Sequence, residues 1–518
     1  MSRQTRSDLL LLAVWGLAFQ AFWMLRLEHP SYFDAYYYTT NAQRLAGGYG
    51  FSEEIIWHYL DDPAGLPHPS HTYWMPLPSI LGAAGYALFG NFRGAQLPFW
   101  LMAGLLPLLA YAISRHLSGE RWQAVMAALL VTAGGYYAAY WNQPSTFAVF
   151  AWVGGGFLLL LALARETQRS ALWLPAGLLA GLGHLARADG VLLLPVAALV
   201  WLWWWRERRP PLARAIGGGA LVVVGYLVVM APWFWHSYRA TGAALSTVGA
   251  QTIFLTEYND VFAYGRQFDL AHYLAWGWEN ILRSKLEAIW LGLQTFVAIT
   301  GLTAFTFFVL AGWLVLWRRR LSRAFLLPAT LYTVLLYGTM TLLFTFPGTR
   351  GSLMHSSAAL WPWSMALAPA GLAASIDWAA ARRRSWRPQQ ARRIFAAALV
   401  VIAYTITFAV AGGQPLAQED AAVYRQIAPQ LPANAVIITG DPPGFYYHTG
   451  LRAIALPNEE PPVLLEIARR YGAGYLLLDS DSPARLAGPI TAPGSVPGIE
   501  LMGEFGDDFR LYRLETAP

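Results

Sequence analysis

The chain has no cysteine, which excludes disulfides, thiolate metal sites and cysteine nucleophiles. Charge is scarce too: 13% of the 518 residues are acidic or basic, about half the roughly 25% of an ordinary soluble domain. Lysine is nearly missing, with Lys285 alone against 35 arginines. What is abundant is apolar, at 56% of the chain. These proportions exclude a disordered chain, a coiled coil and a collagen, and they leave too little polar surface to coat a soluble enzyme. The net charge of +6 does not point to nucleic acid. The arginines fall in short clusters between apolar runs, as in the cytoplasmic loops of a membrane protein.

A membrane span needs about 20 largely apolar residues. By that rule the sequence predicts eleven spans: 9–27, 95–114, 122–141, 146–164, 171–186, 190–205, 215–231, 292–316, 324–345, 357–376 and 394–411. The first follows Arg3 and Arg6 without a small-residue cleavage site and reads as a retained anchor. The fifth and sixth form a hairpin whose tip is Arg187-Ala188-Asp189. The apolar stretch 76–89 is short, begins among prolines and reads as interfacial or re-entrant. Omitting it puts Arg115/Arg121, Arg165/Arg169, Arg206–Arg214, Arg318–Arg323 and Arg382–Arg393 on the cytoplasmic side with the N-terminus. The loops 28–94, 232–291 and 346–356, and everything after 412, then lie outside. They hold nearly all the histidines and most loop carboxylates, which makes the extracytoplasmic face the working one.

The expected fold is therefore mainly α: a polytopic helical bundle over 1–413 with a small extracytoplasmic α/β domain over 414–518. In the tail, helical patterns at 421–430 and 461–471 alternate with β-rich runs at 435–439, 475–478 and 509–514. Gly440-Asp441-Pro442-Pro443-Gly444 reads as a turn between them, and its prolines lack the amide donors of a phosphate loop.

Asp34 stands seven residues beyond the first span among Tyr32, Phe33 and Tyr36–Tyr38. A carboxylate at that depth either caps a helix over Tyr36–Leu45 or does chemistry, and one role does not exclude the other. Candidate anion-binding cations are Arg187 at the hairpin tip, Arg350 between Gly348 and Gly351 with His355 close behind, and Lys285. Their structural alternatives are a salt bridge to Asp189, an ordinary turn and an interfacial anchor. Tyr37 and His71 are further substrate-binding candidates. Glu53, Glu54, His58 and His68 share one loop, and with His236 they could hold a divalent ion such as Zn or Mn, or simply be solvated. No cofactor is demanded, and a divalent metal stays open.

Four stretches carry a resemblance: DAYYYTTNAQRLAGGYGF from Asp34, HTYWMPLPSILGAAGYALFGN from His71, HLARADGVLLLP from His184 and APWFWHSYRATG from Ala231. In order and spacing, over roughly residues 1–290, they resemble the GT-C superfamily of membrane glycosyltransferases. The nearest groups are the protein O-mannosyltransferases and the lipid A aminoarabinose transferases. The resemblance implies a polyprenyl-phosphate-linked sugar as donor, an acceptor hydroxyl on protein, lipid or glycan, inversion at the sugar, and Asp34 as general base. One departure is Ala35, where the aminoarabinose transferases carry a second acid, and this puts that substrate in doubt. A transporter or flippase of envelope glycan precursors is the alternative from another class, and an oligosaccharyl-type ligase the alternative within the enzymes. An envelope scaffold is the plainest reading. Transport would call for ionisable groups at mid-membrane and inverted repeats, and the sequence displays neither.

Overall fold

The computed structural model describes residues 3–383, 386–412, 418–492 and 496–515. Its first half runs through α1 (Arg3–Arg26), α2 (Phe33–Ala46), α3 (Leu77–Phe89), α4 (Phe92–Ser118), α5 (Arg121–Ala133), α6 (Thr146–Thr167), α7 (Trp173–Ala186), α8 (Leu193–Arg208) and α9 (Leu212–Thr241). Later helices include Trp278–Thr295, Thr306–Trp317, Arg320–Leu342, Trp361–Ala380 and Pro388–Gly412. This is a multi-pass membrane bundle. Among the described residues eight helical stretches are long and apolar enough to cross a bilayer, and three shorter apolar helices accompany them.

Eight of the eleven expected spans thus fall on long apolar helical stretches among the described residues, and two backbone breaks account for most of the rest. The expected span 122–141 ends as a helix at Ala133, because Gly134 and Gly135 turn to φ of 81° and 56°, left-handed values open to glycine at little cost. The expected span 292–316 is split between Trp278–Thr295 and Thr306–Trp317, where Leu302 and Thr303 take φ of 47° and 56°. Leu77–Phe89 is a helix of 13 residues, too short to cross unaided. Elsewhere the bundle closes on small residues. A Cβ at Gly177 of α7 would stand 2.2 Å from the Val222 carbonyl oxygen of α9, so these backbones touch.

The C-terminal region folds around a six-stranded sheet in the order β2-β5-β4-β6-β8-β7, formed by β2 (Ile55–Ile56), β4 (Val436–Thr439), β5 (Arg452–Ala455), β6 (Tyr475–Leu478), β7 (Ile499–Phe505) and β8 (Phe509–Leu514). A separate antiparallel pair joins β1 (Ser52–Glu53) to β3 (His68–Pro69). Strands β2, β5, β4 and β6 run parallel, and every residue of β4 is buried, as expected of a strand covered on both faces. The edge strand β2 comes from the loop after α2, so the tail does not complete its sheet alone. Tyr37 and Tyr38 of α2 also share one apolar core with Ile437, Phe445 and Leu477. The boundary at 413/414 lies outside the described residues. Asp441 opens a helix, Pro442–Thr449, and its carboxylate accepts the Gly444 amide at 3.0 Å, so the expected turn is a capped helix start.

Candidate active site

Asp34 is the second residue of α2, whose N-cap is the extended Tyr32. The expectation that Asp34 itself caps a helix starting at Tyr36 is therefore corrected by two residues. In the first helical turn its charge still meets the positive end of the helix dipole. A quarter of the side chain is exposed. Burial pushes its carboxyl up to about 6, against the opposing pull of the positive Arg187.

Three segments converge on this carboxylate. His355 places Nε2 3.7 Å from Asp34 Oδ2 and stacks on Phe147 with ring centroids 3.8 Å apart. Its Nδ1 lies 2.6 Å from the Thr146 hydroxyl, which also accepts from Arg187 Nη1 at 3.3 Å. Arginine can only donate, so the Thr146 oxygen accepts from Arg187 and joins it to His355. Sequence reasoning missed Thr146, whose only signal was its place at the start of α6.

Arg187 is held on several sides. Its Nε donates to Asp189 Oδ1 and to the Ser356 hydroxyl, both at 2.9 Å, and Nη2 reaches the Ser352 carbonyl at 3.4 Å. Ser356 in turn donates to Asp189. The salt bridge foreseen at the hairpin tip forms, and it fixes the guanidinium within electrostatic reach of Asp34.

Arg350 is different. It is exposed, sits beside Gly351 at φ 124°, and makes no ion pair among the described residues. Its guanidinium lies 5.3 Å from the centre of the Tyr258 ring. The Tyr258 phenol is pushed up to about 12, first by burial and then by the charge of Asp34, with Arg350 opposing. Tyr258 therefore stands within the fields of both the carboxylate and the free arginine. Lys285 donates to the Thr345 hydroxyl, at the start of the segment that carries Arg350, and lies 5.3 Å from the Tyr273 ring centre.

Other expected site residues serve the scaffold. Tyr37 is fully buried, its hydroxyl accepting the His71 amide at 2.8 Å. His71 is buried too, with Nδ1 3.1 Å from the Trp74 carbonyl, and burial lowers its pKa to about 3, so it is neutral. The expected metal set does not assemble. His236 packs 4.8 Å from the Phe51 ring, while Glu54 accepts from Arg452 at 2.8 Å and pairs with Arg44 at 3.5 Å. Among the described residues no three histidine or acidic side chains are grouped to hold an ion.

Glu53, His58 and His68 do meet around Asp61: His68 Nδ1 lies 3.6 Å from Glu53, His68 Nε2 3.3 Å from Asp61, and His58 Nδ1 3.6 Å from Asp61, with His58 left neutral because burial lowers its pKa to about 4. Burial alone would lower the pKa of His68, but these partners outweigh it and lift it to about 9. The added stability is complete below the unfolded value of about 6.5 and is lost as pH rises through 9. We expect the melting temperature to fall between pH 6.5 and 9 and His68→Gln to flatten that fall; an unchanged slope in the variant would remove His68 as its source.

This fold is that of the GT-C membrane glycosyltransferases. ArnT from Cupriavidus metallidurans, solved with undecaprenyl phosphate bound, matches over 97% of this chain and 97% of its own, at a TM-score of 0.54 and 14% identity. Residues 68–236 match the family model of the dolichyl-phosphate-mannose-protein mannosyltransferases. Arabinofuranosyltransferase AftD from mycobacteria is a more distant likeness, at 12% identity and a TM-score of 0.46, over 99% of this chain and 41% of its own. No curated protein matches by sequence.

Proposed function

We propose that the protein is a glycosyltransferase that moves a sugar from a polyprenyl-phosphate donor to an acceptor hydroxyl, with inversion, at the extracytoplasmic membrane face. The acceptor oxygen attacks the anomeric carbon. The bond from that carbon to the phosphate oxygen breaks with both electrons leaving on phosphate, and the acceptor proton passes to Asp34. A carboxyl near 6 is ionised at neutral pH yet basic enough to accept that proton. The leaving phosphate needs positive charge rather than a proton, and Arg350 has its guanidinium free to supply it. Arg187, tied to Asp189, steadies the ionised Asp34 by its charge, and the His355 ring borders it at 3.7 Å.

The observation that carries this reading is the buried Asp34 carboxylate with His355 and Arg187 beside it, together with the unpaired Arg350 over the ring of Tyr258, within a GT-C fold. That ArnT was solved with undecaprenyl phosphate supports a lipid phosphate as the donor class.

The test is turnover of the full chain in nanodiscs with a panel of undecaprenyl-phosphate sugars, reading the anomeric configuration of the product. We expect inversion, and a kcat/KM that falls about tenfold per pH unit below 6 as Asp34 takes up a proton. Retention of configuration, or a rate level through that range, would count against the mechanism.

A further inference from the structure

A groove of about 540 Å³ opens where α2 and the loop after it meet the C-terminal sheet. Gln43 and Arg44 of α2 line it, with Tyr49 and Glu54 of the loop and Asn434, Tyr446 and Arg452 of the C-terminal region. Gln43 is nine residues beyond Asp34. At 3.6 residues per turn it points half a turn away, and Thr40 and Arg44, which also line the groove, lie about 120° and 80° round the helix, so the groove sits to the side of α2 away from the carboxylate's own line.

The groove's hydrogen-bonding groups divide into those already committed and those left open. Arg44 is committed: its Nε and Nη2 donate to the Ser52 carbonyl and hydroxyl at 2.7 and 3.0 Å. Glu54 is committed to both arginines. Arg452 gives only Nε to Glu54, is half exposed, and keeps its two terminal nitrogens without a protein partner among the described residues. The side-chain amides of Gln43 and Asn434 and the hydroxyls of Tyr49 and Tyr446 are likewise open there. Two arginines against one glutamate leave a surplus positive charge. Tyr49 is 68% exposed, and the Arg44 guanidinium lies over its ring at 4.9 Å, which steadies the ring and leaves its other face bare.

A bare aromatic face suits the C–H face of a sugar ring. Planar amide and guanidinium groups suit neighbouring hydroxyls or an acid group, which they can bind in pairs. An acyl chain would meet Gln43, Asn434 and Arg452 where it needs apolar walls, and an acidic peptide would use Arg452 without needing Tyr49. From this we infer that the groove is a second ligand site, apart from the reaction centre, that binds an anionic saccharide.

The experiment is calorimetric titration of the full chain in nanodiscs with trigalacturonate as the carboxylate probe and mannose 6-phosphate as the phosphate probe. Maltotriose and a glutamate-rich peptide are the comparisons. At least one anionic sugar should bind, and the tighter of the two identifies the anion. Arg452→Gln should weaken it about tenfold or more, the loss of a charged hydrogen bond. Tyr49→Ala should weaken it about fivefold, the loss of a ring contact. Asn434→Ala disturbs no ion pair and should also weaken binding, which separates recognition from loosening of the interface. Asp34→Asn should bind as wild type, so the site stands or falls separately from the proposed transfer reaction. The inference is overturned if neither anionic sugar binds, if maltotriose or the peptide binds as tightly, or if Arg452→Gln and Asn434→Ala both bind like the wild type.

Discussion

Asp34→Asn should reduce sugar transfer by about 10²–10⁴-fold, the usual contribution of a general base, while leaving the fold intact. The amide keeps the size of the carboxyl and its contact with His355 but cannot take up a proton. The same substitution has a second consequence of opposite sign. A carboxyl raised from 3.8 to about 6 binds its proton more tightly in the folded state, so its ionisation withdraws stability as pH rises from 3.8 through 6. At neutral pH that cost is at most about 3 kcal/mol. Asp34→Asn should therefore melt no lower than wild type at pH 7, and higher if the cost is relieved in full, with the difference closing near pH 4. A variant that loses activity together with several degrees of melting temperature would point to a structural carboxylate.

Arg350→Ala should lower kcat/KM by about 10²–10³-fold, the typical cost of removing a group aimed at charge that develops in the transition state. Arg350 is exposed, free of ion pairs and flanked by Gly351 in a conformation reserved for glycine, so its removal should leave the melting temperature unchanged. Arg350→Lys keeps the charge but loses the fork and should recover part of the rate. Arg187→Ala should behave otherwise. It strips Asp189 of its partner near the core and should destabilise as well as inactivate. The contrast between a clean kinetic loss at 350 and a mixed loss at 187 separates a phosphate ligand from a residue that orders the site.

Much of this was legible in the sequence because a bilayer imposes long apolar runs and their ends mark where chemistry can sit. Asp34, Arg187, Arg350 and His355 were all readable as polar residues at such ends, and the structure brings Asp34, Arg187 and His355 together. The backbone breaks were not legible: an average over 25 apolar residues does not register that Leu302 and Thr303 turn left-handed. Strand β2 was hidden because two residues carry no alternation, and only the distant β5 makes Ile55–Ile56 a strand. The burial of Tyr37 and His71 is not legible in the sequence, because a polar atom in a loop looks available until its partner is known, and the Tyr37 hydroxyl accepts the His71 amide while His71 Nδ1 meets the Trp74 carbonyl. The histidine–acid cluster in the same loop has the right residue types for a metal but closes on itself, His68 lying between Glu53 and Asp61.

The most direct test of the central claim is the structure of Asp34→Asn in nanodiscs with an undecaprenyl-phosphate sugar bound. The account expects the phosphate within hydrogen-bond reach of Arg350 and the anomeric carbon on the side that faces residue 34, with room between them for an acceptor oxygen. A lipid phosphate seated away from Arg350, or a sugar turned from residue 34, would contradict it.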